Sequence, residues 1–288
     1  MLRSVTTMTQ DDRASQDGIG PARHATVYEC REVSVVYRTH RDEAHTVLDG
    51  VTFDCQSGEV LTFVGPSGVG KTTLLRLLSG LIKPTSGSVC FEGEPVRRTP
   101  QGVVLVFQDY ASALLSWRTV GRNVALPLEG RMSKREIDKR VDDALSQVNL
   151  GDWKNEYPWR LSGGMQQRVQ IARALASDAQ VLLMDEPFAS IDAITRAKLQ
   201  DLLLEVRRRT GLTVIYITHD IDEAIYLSDR VFVLSGRPAS MQEEVEIDVP
   251  TPRSQVETRE LPEFLDARRR LHAALRAEYS SEGAGQAP

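Results

Sequence analysis

Val60-Leu61-Thr62-Phe63-Val64-Gly65-Pro66-Ser67-Gly68-Val69-Gly70-Lys71-Thr72-Thr73-Leu74-Leu75-Arg76-Leu77-Leu78 is the stretch on which the rest of the chain turns. Its first five residues are an apolar run rich in β-branched side chains, which reads as a buried parallel strand. Its last part contains neither glycine nor proline and reads as a helix. Between them lies G-x-x-x-x-G-K-T, a pattern that cradles phosphate. Phosphate oxygens are best held by backbone N–H groups, so the loop must pass very close to them. Gly65, Gly68 and Gly70 permit that approach and the positive φ it demands. The helix that follows turns the positive end of its dipole toward the anion. Gly65, Pro66, Ser67, Gly68, Val69, Gly70, Lys71, Thr72 and Thr73 are therefore the candidate nucleotide cradle. Lys71 neutralises the outer phosphates and Thr72 offers a hydroxyl to Mg²⁺. A bare match arises by chance in roughly one such chain in a hundred at ~7% glycine, and a flanking strand and helix make it rarer.

Bulk properties narrow the class. The chain has 288 residues, 41% hydrophobic and 26% charged, as for a globular protein with a sizeable core. Its 35 Lys and Arg against 40 Asp and Glu give a net charge of -5, which argues against a nucleic-acid partner. Cys30, Cys55 and Cys90 are scattered and odd in number, so a reducing compartment is expected, with neither disulfide nor zinc site. No apolar run approaches the ~20 residues that span a bilayer, and residues 1–20 lack an apolar signal core. A cytoplasmic protein is expected, with any membrane role exercised through partners.

Working outward, residues 1–25 are polar and read as a disordered tail, with a small regulatory tail as the alternative. Residues 26–37 and 46–54 read as strands of a small antiparallel sheet ahead of the cradle. Tyr37 ends the first of them, either as an edge aromatic or as a face on which adenine stacks. Pro84-Thr85-Ser86-Gly87 is a turn, and Ser88 to Phe91 a short strand. Val103 to Phe107 is a buried strand that ends at Gln108, which either reaches Mg²⁺ or is an ordinary loop glutamine. Ser133-Lys134-Arg135-Glu136 is a capping box, with Met132 and Ile137 as a hydrophobic staple. Ile137, Val141, Leu145 and Val148 follow at helical spacing, and Gly151 is expected to end that helix.

Three further stations carry chemistry. Ser162-Gly163-Gly164 precedes a helix and forms a second nest of N–H groups. Two cradles in one subunit make sense if the second closes on a nucleotide held by another copy. Val181 to Asp185 is a buried strand running into Glu186. Packing alone does not end a core strand in two carboxylates, because an unpaired buried charge is costly. Asp185 suits Mg²⁺ and Glu186 suits polarising an attacking water. Thr213 to Thr218 is another buried strand and delivers His219 to the same end of the sheet, where a γ-phosphate sensor belongs. Val231 to Leu234 is the last core strand. Residues 261–277 can form a helix with Phe264, Leu271 and Leu275 on one face. It either packs on its own domain with Arg268-Arg269-Arg270 solvated, or serves dimer contact or regulation; residues from 280 on read as flexible.

Residues 65–72, Gln108, Leu161-Ser162-Gly163-Gly164, Asp185-Glu186, Ser190-Ile191-Asp192 and His219 stand in the order that resembles the ATP-binding cassette (ABC) ATPases, over residues 26–234. The resemblance implies an α/β fold, a P-loop NTPase with a RecA-like core, an N-terminal antiparallel β subdomain and an inserted helical subdomain. It implies an ATPase domain over 26–245, with helical residues 110–172, and a C-terminal extension over 246–288. It implies ATP and Mg²⁺ as cofactors and a homodimer in which Ser162, Gly163 and Gly164 bind the γ-phosphate held by the opposite copy. It assigns adenine stacking to Tyr37, permease and Mg²⁺ sensing to Gln108, the catalytic base to Glu186, the switch to His219 and cross-dimer communication to Asp192. Met165 stands where the family usually has Gln, and Ile191 where Leu is commoner. Phe107-Gln108-Asp109-Tyr110, Ser116-Trp117-Arg118-Thr119-Val120, Met165, residues 218–224 and Pro262-Glu263-Phe264-Leu265 resemble the bacterial nitrate, taurine and aliphatic sulfonate importers. That subfamily implies two transmembrane permease subunits, an extracytoplasmic solute-binding protein and a place on the cytoplasmic face of the membrane. A soluble ABC ATPase of translation or DNA repair is the rival reading. Such proteins usually carry two cassettes or a long coiled coil, and this chain has one P-loop and a short helical insert.

Overall fold

The computed structural model describes residues 25–38, 43–107 and 113–283. The expectations for residues 1–24, Gln108, Asp109 and Tyr110 lie outside them. In chain order the elements are β1 (Thr26–Arg38), β2 (Ala44–Gln56), β3 (Val60–Val64), α1 (Lys71–Leu78), β4 (Ser86–Phe91), β5 (Glu94–Pro95) and β6 (Val103–Val106). Then follow α2 (Val120–Ala125), α3 (Lys134–Gln147), α4 (Gly163–Ala176), β7 (Val181–Asp185) and α5 (Ala193–Thr210). The chain continues through β8 (Thr213–Thr218), α6 (Ile221–Leu227), β9 (Arg230–Ser235), β10 (Ser240–Glu246), α7 (Glu257–Glu260) and α8 (Pro262–Gly283).

Two sheets form. The six-stranded sheet runs β10-β9-β3-β8-β7-β6, parallel except for β10 against β9. The four-stranded sheet runs β2-β1-β4-β5 and is antiparallel. The central strands β3, β7 and β8 are buried along their whole length, so they read as unbroken apolar runs. Their side chains still alternate. Val60, Val64, Leu182, Met184, Val214 and Tyr216 enter the core shared with α4, α5 and α6. Leu61, Phe63, Leu183, Ile215 and Ile217 enter the core shared with α1 and the antiparallel sheet. The period of 2 thus sorts each strand between two layers. The Tyr28 hydroxyl donates to Leu78 O at 2.9 Å and ties the antiparallel sheet to the end of α1.

The helical stretch between β6 and β7 differs from expectation in one detail. Ser133 and Glu136 form the capping box reciprocally. The helix stops at Gln147, before Gly151, and Asn149 takes the left-handed position at φ 57°. Leu150 N–H then closes on Leu145 O at 2.8 Å. Asn tolerates that conformation because its short polar side chain bonds locally, so the stop needs no glycine. Gly151 instead opens a short 3₁₀ turn.

The C-terminal helix packs on its own domain. Phe264 and Leu271 are fully buried and Leu275 partly so, all against the larger core. The basic run is not a free face: Arg268 grips Asp222 of α6 bidentately at 2.6 and 2.7 Å. Helical backbone continues through Gly283, past the expected flexible point.

Candidate active site

The phosphate-binding loop leaves β3 after Val64 and enters α1 at Lys71. A Cβ on Gly65 would sit 2.2 Å from Leu234 O on β9, so the neighbouring strand admits only glycine. Gly68 and Gly70 take φ of 78° and 117°. Gly70 is the N-cap of α1 and leaves that helix without a side-chain cap. By contrast α3, α4, α5 and α6 are capped by Ser133, Ser162, Asp192 and Asp220. The first-turn N–H groups of α1 are therefore left to an anion. Lys71 is 5% exposed, and its Nζ donates to Gly65 O at 2.8 Å and Pro66 O at 2.9 Å. Burial lowers its pKa below the ordinary lysine value, and Glu186 and Asp185 pull the other way.

Glu186 follows β7 directly and adopts φ 41°, a left-handed backbone that glutamate rarely takes. Its N–H donates to Ile217 O at 3.0 Å, which locks the end of β7 to β8. One carboxylate oxygen then lies 3.7 Å from Lys71 Nζ, and the other 2.8 Å from His219 Nδ1. The strained backbone thus turns one side chain between two others that come from separate strand ends. His219 keeps a largely exposed side chain. Asp185 is buried, and burial raises its pKa, while the Thr72 hydroxyl bonds its carboxylate and opposes the shift. A hydroxyl beside a buried carboxylate is an all-oxygen donor set that fits Mg²⁺, and a cation there would relieve the burial.

The remaining predicted residues stand elsewhere. Ser162 accepts from Met165 N–H at 3.4 Å at the start of α4. A Cβ on Gly164 would meet Thr195 Cγ2 at 2.3 Å, so α4 begins hard against α5. Among the described residues, no hydrogen bond joins this turn to the phosphate-binding loop of the same chain. Met165 is half-buried against the larger core, and Ile191 is buried in it, so both unusual side chains serve packing. Tyr37 pairs with His45 near the end of β1 and is 41% exposed.

Several residues were invisible to motif reading. Gln167, wholly buried on α4, donates to Pro187 O just past Glu186. Asn123 Nδ2 donates to Leu115, Arg118 and Thr119 carbonyls at 3.0, 3.1 and 3.1 Å. Arg173 donates to Ala113 O at 3.0 Å and Asn123 Oδ1 at 3.1 Å, so α4 anchors the segment after Gln108. Only their position inside helices that read as packing elements marks them, and that signal is common to any buried amide.

A family model described as ABC transporter matches residues 48–189. The chain is 43% identical over 209 residues to an aliphatic sulfonates import ATP-binding protein of Pseudomonas syringae pv. syringae, spanning 73% of this chain and 83% of that one. It is 40% identical over 231 residues to a nitrate import ATP-binding protein of Synechococcus elongatus, spanning 79% of this chain and 35% of that one. Among solved structures, a dimeric ATP-binding cassette in a post-hydrolysis state bound to ADP and Pi matches with TM-score 0.66 at 31% identity. That match covers 76% of this chain and 98% of the other.

Proposed function

This chain belongs to the ABC transporter family as an ATP-binding, ATP-hydrolysing subunit, and from that premise we propose that it powers uptake of a small oxyanion or sulfonate. Nitrate, taurine and aliphatic sulfonates are the solutes favoured by the relatives' names. Two copies would sandwich two ATP, each between one phosphate-binding loop and the partner's Ser162-Gly163-Gly164. Two transmembrane permease subunits would receive the closure, and an extracytoplasmic binding protein would deliver solute. No helix among the described residues is long and apolar enough to cross a membrane, which accords with a peripheral subunit on the cytoplasmic face. Residues 26–245 would form the ATPase unit, with 110–172 its helical part.

The observation that carries the reading is the meeting of Lys71, Glu186 and His219 at the carboxyl ends of β3, β7 and β8. Lys71 would exchange the Gly65 and Pro66 carbonyls for phosphate oxygens. Glu186 would orient water and accept its proton, and His219 would steady the γ-phosphate. Tyr37 would stack on adenine. Mg²⁺, on Thr72, Asp185 and Gln108, would neutralise phosphate charge. Loss of the γ-phosphate removes charge that bridges the two copies, which gives opening a physical cause.

The test is capture of tagged Glu186→Gln protein with ATP from native membranes in mild detergent, followed by mass spectrometry. A multi-span permease is the expected partner. Ribosomal or DNA-repair proteins with no membrane protein would overturn the transporter reading.

A further inference from the structure

His219 is positioned by a buried chain of polar side chains that begins in the C-terminal extension. His219 sits between Thr218, the last residue of β8, and Asp220, the N-cap of α6. The Thr218 hydroxyl accepts from Asp220 N–H at 3.0 Å and donates to Glu223 Oε2 at 2.6 Å. Both peptides that flank the histidine are therefore tied to one hydroxyl. Glu223 is 5% exposed, and its other oxygen accepts from Gln200 Nε2 of α5 at 3.0 Å. Glu223 N–H donates in turn to Asp220 Oδ1 at 3.1 Å.

The orientation of Gln200 is itself set from outside. Gln255, which precedes α7, donates to Gln200 Oε1 at 3.2 Å. With its oxygen engaged, the Gln200 amide can present only its NH₂ to Glu223. The Gln255 amide is held by Asp201 Oδ1 at 2.8 Å and Ala197 O at 3.2 Å. A small cavity behind this chain is lined by Glu186, Arg196, Thr218, His219, Asp220 and Glu223. The buried Tyr216 hydroxyl and Arg196 Nε have no hydrogen-bond partner. Polar groups left unpaired beside a buried carboxylate do not serve stability.

We propose that Glu223 is a positioning residue for His219, and that Gln255 makes the C-terminal extension part of the hydrolytic machinery by fixing the Gln200 amide. The inference rests on His219 acting at the γ-phosphate. Its prediction is selective: perturbing the chain lowers kcat and leaves the phosphate-binding loop, and so KM for ATP, unchanged.

The experiment measures MgATP hydrolysis by the full-length protein with Glu223→Gln, Gln255→Leu and His219→Ala, singly and combined. Glu223→Gln sets an NH₂ against either the Gln200 donor or the already engaged Thr218 hydroxyl. Losing one charge-assisted bond should lower kcat about ten- to a hundredfold, and KM should move less than about twofold. Gln255→Leu should lower kcat severalfold. In the His219→Ala background Glu223→Gln should add nothing further. Thr218→Val should reproduce the loss and Thr218→Ser restore it, which keeps the test decisive if Glu223→Gln fails to fold. If His219→Ala lowers hydrolysis but Glu223→Gln and Thr218→Val do not, or if their effects multiply with His219→Ala, the positioning role is refuted. If His219→Ala itself hydrolyses at the normal rate, the underlying assignment of His219 is at fault instead.

Discussion

Replacing Glu186 by glutamine separates the chemistry from the architecture. The side chain keeps its shape, so the φ of 41° and the N–H bond to Ile217 O are untouched. Lys71 loses a carboxylate 3.7 Å away but keeps the Gly65 and Pro66 carbonyls. His219 keeps a polar neighbour at the position now 2.8 Å from Nδ1. Stability should therefore change by less than about 1 kcal/mol, the scale of a single ion pair at this exposure. The amide cannot take a proton from water. Loss of a general base lowers rate about 10²- to 10⁴-fold, which is about 3–5 kcal/mol of barrier. Removing a negative charge beside the phosphates also favours ATP, so affinity should hold or tighten. The assay is phosphate release at saturating MgATP, with nucleotide binding by calorimetry and dimer formation by light scattering. Expected are near-complete loss of turnover, unchanged or tighter binding, and a dimer that persists in ATP. Turnover within twofold of the unmodified protein would refute Glu186 as the base.

Other outcomes follow from the same geometry. Lys71→Met should abolish hydrolysis and weaken ATP binding, yet raise stability by about 1 kcal/mol, because a buried ammonium is removed. The pH dependence has a definite sign. Burial holds the Lys71 pKa below 10.5, so the charged form penalises the fold below its folded pKa and the penalty fades as pH rises toward 10.5. The thermal advantage of Lys71→Met, followed by calorimetry, should shrink on that climb. Gly65→Ala forces a Cβ to 2.2 Å from Leu234 O, and should cost about 1–3 kcal/mol and remove ATP binding measured by calorimetry. Phe264→Ala empties a fully buried site on α8 and should cost about 3–5 kcal/mol, read as a fall in Tm. A Tm unchanged by that substitution would mean that α8 is not part of the cooperative domain.

The sequence by itself determined the strands, the phosphate-binding loop, the paired carboxylates and the family. Each is written in local terms: an apolar run of β-branched residues, glycines where backbone must meet backbone, charges where packing has no use for them. The clash awaiting any side chain at Gly65 comes from Leu234, but the glycine declares it in advance. Local pattern failed where two residue types serve one conformation, as when Asn149 rather than Gly151 carried the chain out of α3. It also left open how the basic run of α8 is used, because solvent and a partner such as Asp222 look alike from sequence. Only the tertiary structure decided that Lys71, Glu186 and His219 meet, since each belongs to a different strand and the order β3-β8-β7 brings their ends together. Only it linked Gln255 through Gln200 and Glu223 to Thr218. Amides and carboxylates in helices carry no periodic signal. Their meaning comes from what faces them, and that is fixed when the helices pack.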